Sequence, residues 1–272
     1  MLKAIDMHIH SCYSDGIFTP SEIVQKVIES GLGGFSITDH DSFDGIEETL
    51  LAIKNREEKI YFVPGCEFST NFDGIGEIHV LGYFRDSSFI KMKELINSLK
   101  ASRLERALRI LDCLKMHGIK IELSEITHGK NIPIGRMHIA RHLVQLGYSK
   151  DTSSAFEKFL KRDGLCYFSR DNISIEEAIK YIKAHNGIAI VAHPTFLYVM
   201  QNWNYVDKII ALGIDGIEYK HPKISDELSR KIKEEMGSHL LLTGGSDFHG
   251  DGPKDYIGKY SVSLETIRSY LG

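Results

Sequence analysis

Short apolar runs alternate with segments of helical periodicity in the first 85 residues of the chain. A helix is predicted to begin at Thr19, because Thr19-Pro20-Ser21-Glu22 has the spacing of a capping box with proline in the first turn. It is expected to end near Ser30, and another helix is expected from about Asp44. The strands predicted in this part are Ala4–His8, Gly34–Thr38, Ile60–Cys66 and Ile78–Tyr83.

The pattern changes in the middle of the chain, where helical periodicity extends from about residue 86 to residue 170. No convincing strand pattern interrupts it. We therefore predict that residues 86–170 form a helical insertion, and that residues 1–85 and 171–272 form one domain around it. The helices predicted inside the insertion are Met92–His117, Met137–Leu146 and Ser154–Leu160.

Strands and helices alternate again after residue 170. Helices are predicted over Ser174–His185, after residue 203, before the last strand and after Val262. This repeated alternation predicts an α/β fold with a parallel sheet, either closed or open. The strands predicted here are Gly187–Ala192, Gly216–Tyr219 and His239–Thr243.

Composition and charge argue against several classes of function. The 272 residues carry a net charge of -4, which disfavours a surface for duplex DNA, because affinity for that polyanion comes largely from Lys and Arg. No apolar run approaches the roughly 20 residues that cross a bilayer, and the first residues lack a secretory pattern. We therefore expect a cytoplasmic protein without membrane contact. Its cysteines lack CxxC spacing and are expected to be free thiols, namely Cys12, Cys66, Cys113 and Cys166.

Histidine is the unusual residue of this chain, with 13 copies, many of them at the ends of predicted strands. His8 and His10 are two residues apart on a strand and so point to the same face, where both can reach one ion. In a βα barrel the carboxyl ends of the strands meet at one mouth. Burying so many titratable groups there without metals would be unfavourable. The candidate metal ligands are His8, His10, Asp15, His40, Glu67, His79, His193, Asp247 and His249.

The candidate ligands mix imidazole with carboxylate, which suits Mn, Fe or Zn, and the absence of thiolates argues against a structural zinc site. Nine ligands are too many for one ion and fit two or three. A single histidine at a strand end is more often a hydrogen-bonded structural residue. The recurrence of histidine or carboxylate residues at the ends of successive strands nevertheless favours a metal cluster.

Six motifs occur in order along nearly the whole chain: DMHIHSCYSDG, ITDHD, PGCEFS, HVLGY, VAHP and GSDFH. In this order they resemble the motifs of the PHP (polymerase and histidinol phosphatase) family. Within the insertion, IGRMHIARHLV resembles the branch that contains nucleotide phosphatases and RNA 5′-end exonucleases. The resemblance implies a distorted (βα)7 barrel with a helical insertion, an enzyme that hydrolyses phosphate esters, and a site for three divalent metal ions.

The resemblance also implies a role for each site residue. A hydroxide that bridges the first two ions would be the nucleophile. Arg136 would bind the phosphate through its guanidinium, and His138 would contact the phosphate or protonate the leaving oxygen. The implied ligands are His8, His10, Glu67 and Asp247 for the first ion, Glu67, His79 and His193 for the second, and Asp15, His40 and His249 for the third.

Other polar residues near the strand ends have more open roles. Asp6 and Asp39 either orient a ligand imidazole or make ordinary strand-end hydrogen bonds. Glu218, Lys220 and His221 end another predicted strand and are candidates for substrate contact. Most of the histidines outside the ligand set are expected at the surface or at helix ends; they are His117, His128, His142, His185, His221 and His239.

The favoured substrate is a phosphate monoester of a nucleotide, such as AMP or a 3′,5′-bisphosphate, and the same site could trim short single-stranded RNA from its 5′ end. Histidinol phosphate is an alternative, although the Arg-x-His motif argues against it by resemblance. An amidohydrolase-type enzyme would need a bridging group such as carboxylated lysine, and Glu67 is the better bridge here. The remaining alternative is a catalytically silent scaffold, which the complete ligand set disfavours.

Overall fold

The structure is a computed structural model that describes residues 3–195, 204–252 and 256–272. The chain divides into two compact units. The first, here called the barrel unit, comprises Met1–Glu94 and Ile173–Gly272, and the second, the helical unit, comprises Leu95–Asn172. No helix in the described part of the chain is both long enough and apolar enough to cross a membrane.

The barrel unit is built on a sheet of nine strands. The strands are β1 (Ala4–Ile9), β2 (Gly34–Ile37), β3 (Tyr61–Phe72), β4 (Gly76–Phe84), β5 (Ile173–Ser174), β6 (Gly187–Val191), β7 (Gly216–Lys220), β8 (Leu241–Gly244) and β9 (Val262–Ser263). Eight of them follow the order β8-β7-β6-β4-β3-β2-β1-β9, and β5 pairs with β3 beside this path.

The sheet closes almost completely because the segment after β8 returns to β1. The Asp247 N–H donates to the His8 carbonyl at 2.9 Å, and the His10 N–H donates to the Phe248 carbonyl at 2.9 Å. Gly245 permits this approach, since a Cβ atom at that position would lie 2.3 Å from the Cβ of His8. The predicted α/β barrel is therefore confirmed as a nearly closed sheet.

Two strands differ from the prediction of a parallel sheet. β9 is antiparallel to β1, and β4 is antiparallel to both of its neighbours, β3 and β6, whereas the other neighbouring pairs from β1 to β3 and from β6 to β8 are parallel. For β4 the short connection is the reason. Only residues 73–75 join β3 to β4, and a parallel return needs a crossover of roughly a dozen residues or more.

The predicted helices recur with small shifts at their ends. Thr19 caps α1 in a capping box with Glu22, as predicted, and the apolar face of α1 packs against β1 and β2 through residues such as Ile23 and Phe35. The described α-helices are α1 (Pro20–Glu29), α2 (Ile46–Lys54), α3 (Lys93–Met116), α4 (Leu123–Thr127), α5 (Arg136–Gln145), α6 (Thr152–Ala155), α7 (Ile175–Ala184), α8 (Asn204–Ala211), α9 (Asp226–Met236) and α10 (Leu264–Leu271).

The helical unit has an apolar core of its own. Leu114 in α3 and Ile139 and Leu143 in α5 are buried there with Phe159, which lies in a π-helical turn after α6. Residues 95–172, all of which the structure describes, contain no strand. The unit extends from Leu95 to Asn172, whereas the sequence pattern indicated boundaries near residues 86 and 170.

The prediction of four free thiols was wrong for two cysteines. Cys113 in α3 and Cys166 form a disulfide in the core of the helical unit, with their Cα atoms 5.7 Å apart. Cys12 and Cys66 form no disulfide and keep their thiols. Motif spacing could not reveal the pair, because its members are 53 residues apart in sequence and only the tertiary fold brings them together.

Candidate active site

The carboxylate of Glu67 in β3 is the centre of the site. It is fully buried, and five imidazoles surround it. Two of the rings face Oε1, and three face Oε2. The shortest nitrogen–oxygen distances are 2.8 Å for His79, 2.9 Å for His193, 3.0 Å for His40, 3.2 Å for His10 and 3.3 Å for His8.

A second group forms around Asp15, in the segment between β1 and α1. Its carboxylate lies 3.2 Å from His249 Nε2, 3.7 Å from His10 Nδ1 and 3.9 Å from His40 Nε2. The ring of His10 stacks on that of His249, with centroids 4.2 Å apart. Because His10 and His40 contact both Asp15 and Glu67, the two groups form one continuous cluster.

Asp247 follows β8 and divides its two oxygens between the cluster and another pair of side chains. Oδ1 lies 3.3 Å from His10 Nε2 and 3.6 Å from His8 Nε2. Oδ2 lies 3.3 Å from His221 Nε2 and 2.8 Å from Lys223 Nζ. The structure therefore brings all nine candidate ligands together and adds two residues that were not predicted as ligands.

The backbone explains how ligands from different strands reach one place. Because β4 is antiparallel, His79 near its start pairs with Ser69, close to Glu67 on β3. His193 and Asp247 follow β6 and β8 with positive φ angles of 26° and 51°. Such backbone conformations are uncommon for residues with a Cβ atom and occur most often at functional sites.

Charge shifts the pKa values of the buried groups in opposite directions. Burial alone would raise the pKa of Glu67, but the surrounding imidazoles, led by His40, hold it well below its usual value. Burial opposes protonation of His79, yet Glu67 raises its pKa to about 9. Asp15 likewise raises the pKa of His249 to about 10 against the effect of burial. Without bound cations, these two imidazoles hold protons at neutral pH.

His193 and Lys223 behave differently. Burial, followed by the charge of Lys223, lowers the pKa of His193 to about 4, although its ring lies beside Glu67. Burial opposes protonation of Lys223, but Asp247 holds the pKa of this lysine above its usual value. The Lys223 side chain is 58% exposed along its length, and its ammonium reaches the cluster at Asp247.

The donor set suits divalent cations. The Nε2 atoms of His8 and His10 face each other at 3.1 Å, and both lie within 3.3 Å of Glu67 Oε2. Lone pairs of neutral imidazoles that converge beside a carboxylate fit one positive ion better than they fit each other. Ligand atoms also converge at His10, Asp15, His40 and His249, and at His40, Glu67 and His79.

Glu218 has a role that the sequence did not reveal. Its Oε1 lies 3.1 Å from His8 Nδ1, and its Oε2 accepts a hydrogen bond from the His193 backbone N–H at 2.7 Å. A carboxylate behind a metal-binding imidazole fixes the tautomer and the direction of the ring. Glu218 therefore orients candidate ligands rather than offering a free group to the substrate.

Asp6 and Asp39 hold backbone segments instead. Asp6 accepts hydrogen bonds from the Ser246 and Gly258 N–H groups at 3.0 and 2.7 Å. Asp39 accepts from the N–H and hydroxyl of Ser11 at 2.7 and 2.6 Å. Of the two roles left open by the sequence, these contacts favour strand-end hydrogen bonding.

The other polar residues at the end of β7 do not share one role. The exposed Lys220 places its Nζ 3.3 Å from the Ser261 carbonyl. His221 is fully buried beside Asp247, so it is not a surface histidine. The remaining histidines outside the ligand set lie at the surface or near helix ends, as expected, and are His117, His128, His142, His185 and His239.

Arg136 and His138 lie at the start of α5 in the helical unit. The guanidinium carbon of Arg136 is 5.9 Å from the centre of the Phe156 ring. His138 Nδ1 accepts a hydrogen bond from the Gly135 N–H at 3.0 Å, which caps the helix. In the neutral ring this bond leaves the proton on Nε2, so that atom is a donor.

Comparisons with known proteins point to one family. The PHP domain model matches residues 6–270. A 5′-3′ exoribonuclease of Haemophilus influenzae is 34% identical over 255 residues, which cover 92% of this chain and 91% of that protein. A 3′,5′-nucleoside bisphosphate phosphatase of Chromobacterium violaceum is 32% identical over 260 residues, which cover 92% of this chain and 90% of that protein.

A solved structure extends the likeness to the fold. A Bifidobacterium adolescentis protein assigned as a metal-dependent phosphoesterase matches with a TM-score of 0.88 and 29% identity. The match covers 98% of this chain and 95% of that one. The chain belongs to the PHP domain family and is a hydrolase that acts on phosphate esters.

Proposed function

We propose that the chain is a metal-dependent phosphoesterase that hydrolyses phosphate monoesters of nucleotides, AMP or 3′,5′-bisphosphates, and also trims short RNA from its 5′ end. The observation that carries this proposal is the convergence of five imidazoles on Glu67, continuous with the groups at Asp15 and Asp247. The two curated relatives, named as an exoribonuclease and a bisphosphate phosphatase, support the nucleotide class. Both reactions cleave a phosphate ester beside a nucleoside.

Three divalent ions, Mn, Fe or Zn, are the proposed cofactors. Such ions supply Lewis acidity, which makes water nucleophilic near neutral pH and offsets charge on the phosphate. The distances to Glu67 support its role as a bridge between two ions. The proposed ligands are His8, His10, Glu67 and Asp247 for the first ion, Glu67, His79 and His193 for the second, and Asp15, His40 and His249 for the third.

Protein side chains position the substrate and its proton. Glu218 holds the ring of His8 in one orientation. Arg136 is proposed to bind the phosphate, because a guanidinium matches two phosphate oxygens. His138 is proposed to contact the same phosphate or to protonate the leaving oxygen, and its capping bond to Gly135 leaves Nε2 as the donor.

The proposed partners are nucleotides and short single-stranded RNA. Duplex DNA is not among them, because a chain with net charge -4 offers little general attraction for that polyanion. Membranes are not proposed as partners either. The proposal includes a cytoplasmic location, the compartment in which nucleotides and RNA are most abundant.

Phosphate release by Mn-reconstituted protein tests this function. AMP, 3′,5′-bisphosphoadenosine, short 5′-phosphorylated RNA and histidinol phosphate are compared at equal concentration, with chelator-treated protein as the control. Release from the adenosine compounds or RNA supports the proposal. Release from histidinol phosphate alone moves the chain to a biosynthetic role. No release from any of them, with metals bound, favours a scaffold or another ester.

Substitutions separate metal binding from phosphate binding. His10→Ala and Asp247→Ala are expected to abolish turnover and lower metal content, because each removes a ligand atom. Arg136→Ala is expected to keep the metals but weaken phosphate binding by roughly 1.5–3 kcal/mol, the range for hydrogen bonds to charged groups. Mass spectrometry measures the metal content of each variant, and steady-state kinetics give its KM. Equal metal loss in all three variants contradicts these roles.

A further inference from the structure

Lys223 differs from its neighbour Lys220 in the group that its ammonium reaches. Lys220, the last residue of β7, lies 3.3 Å from the Ser261 carbonyl, whereas Lys223 Nζ lies 2.8 Å from Asp247 Oδ2. A turn explains the difference. The Lys223 N–H donates to Nδ1 of His221 at 3.1 Å, and His221 is fully buried. The turn that carries Lys223 to the cluster is therefore anchored in the protein interior.

The Lys223 ammonium lies close to the candidate metal ligands, at the end of a largely exposed side chain. Lys223 pairs with Oδ2 of Asp247, and Oδ1 of the same carboxylate lies 3.3 Å from His10 Nε2. The lysine side chain is nevertheless 58% exposed, whereas that of Asp247 is 10% exposed. The pair therefore joins a largely exposed side chain to a mostly buried carboxylate, and it holds a positive charge within reach of an anion that binds at the cluster.

The charges of the cluster explain why a fixed cation is useful there. The carboxylates of the cluster repel an anionic phosphate ester that approaches it. Cations must offset this repulsion if the ester is to bind. Lys223 supplies one positive charge whatever ions are bound. An ion held by Asp247 would weaken the attraction between this carboxylate and the ammonium, which would leave the ammonium able to contact a phosphate oxygen. The carboxylates of the cluster are Asp15, Glu67, Glu218 and Asp247.

We propose that Lys223 is a substrate-binding residue of this site, whose ammonium binds an anionic oxygen of the phosphate ester. The inference rests on the proposed function. A lysine binds phosphate as a point charge and does not demand one geometry. It would therefore contribute to every phosphate ester that the site accepts, and also to inorganic phosphate, the product of monoester hydrolysis.

The test compares Lys223→Gln, Lys223→Arg and the control Lys54→Gln, which removes the same charge from the exposed end of α2. Metal content, kcat/KM for AMP and binding of inorganic phosphate to the Mn-loaded protein are measured. For Lys223→Gln we expect phosphate binding and kcat/KM to weaken about 10- to 150-fold, with metal content unchanged. Lys223→Arg should recover part of the loss, and Lys54→Gln should match the unsubstituted protein.

Two outcomes would overturn the inference. Phosphate affinity in Lys223→Gln equal to that of the unsubstituted protein would show that the ammonium does not touch the anion. A parallel fall in metal content would show that Lys223 only holds Asp247 in place. Because phosphate binding is read without turnover, failure of AMP as a substrate would count against the proposed function and not against Lys223.

Discussion

The barrel unit and the helical unit keep their interiors together by different means. The barrel unit buries carboxylates and imidazoles in direct contact at one end of its sheet. The core of the helical unit consists of apolar side chains and a disulfide between Cys113 and Cys166. Buried charges are unfavourable unless they are paired or bind metals, whereas an apolar core is stable without ligands. The barrel unit should therefore respond to metals, and the helical unit to reductants.

The strongest test of this contrast removes the charge of Glu67. Glu67→Gln keeps the size of the side chain but takes the negative charge from the centre of five imidazoles. We expect turnover and metal affinity to fall more than about a hundredfold, since even groups behind metal ligands contribute 10- to 100-fold. Metal titration and phosphate release measure the effect. Glu47→Gln, on the exposed surface of α2, is the control, and metal binding retained in Glu67→Gln would contradict the bridging role.

Reduction of the disulfide tests the other side of the comparison. The bridge joins residues 53 apart in sequence. Opening a loop of that size is expected to destabilise the helical unit by about 4 kcal/mol, through greater freedom of the unfolded chain. Denaturant unfolding with and without a phosphine reductant measures the change. The double variant Cys113→Ser/Cys166→Ser should have the lower free energy of unfolding from the start, and reductant should not change it. If reductant also leaves the unfolding of the unsubstituted protein unchanged, the bridge does not stabilise the unit.

A smaller loss of metal affinity is expected when the metal ligand His8 is kept and only the carboxylate that orients it is changed. Glu218→Gln retains the shape of the side chain but removes the charge that faces His8 Nδ1. Metal affinity should fall about 10- to 100-fold, because the orientation and basicity of the ring are lost. Glu234→Gln, at an exposed carboxylate on α9, is a suitable control. Unchanged affinity in Glu218→Gln would show that His8 needs no support from this carboxylate.

Metal binding should also release protons. In the metal-free chain the pKa of His79 is raised to about 9 and that of His249 to about 10, so both rings are protonated at pH 7. A metal takes only the neutral ring, and therefore apparent metal affinity should rise as the pH increases from 7 to 9. Calorimetry in two buffers of different ionisation enthalpy counts the protons released. Binding without proton release would mean that these rings are not ligands.

Much of the barrel unit could be predicted because its signals are local. Apolar runs identify strands, and the polar residues that end them lie in the cluster, as at His8, His40 and His193. The direction of β4 was not predicted, since a run of apolar residues reads the same in either direction. Only the short 73–75 connection carries that information.

The residues that sequence reasoning missed depend on tertiary contacts. Glu218 was a candidate for substrate contact, yet its carboxylate faces His8, which is 210 residues away in sequence. Lys220 was a candidate for substrate contact because it ends the strand, but its ammonium lies beside the Ser261 carbonyl, and Lys223, which was not considered, reaches Asp247 through the turn anchored by His221. Cys113 and Cys166 likewise meet only after α3 and the chain segment around residue 166 have packed together. No local pattern encodes any of these pairings.

The positive φ angles of His193 and Asp247 place stability and activity in competition during evolution. Glycine adopts this backbone conformation readily, and replacing a strained residue by glycine can relieve roughly 1 kcal/mol or more. Either replacement would also delete a proposed metal ligand. Selection for thermal stability alone would therefore tend to erode this site, whereas selection for activity would keep the strained residues. A laboratory evolution experiment on this chain should therefore screen for turnover at every round.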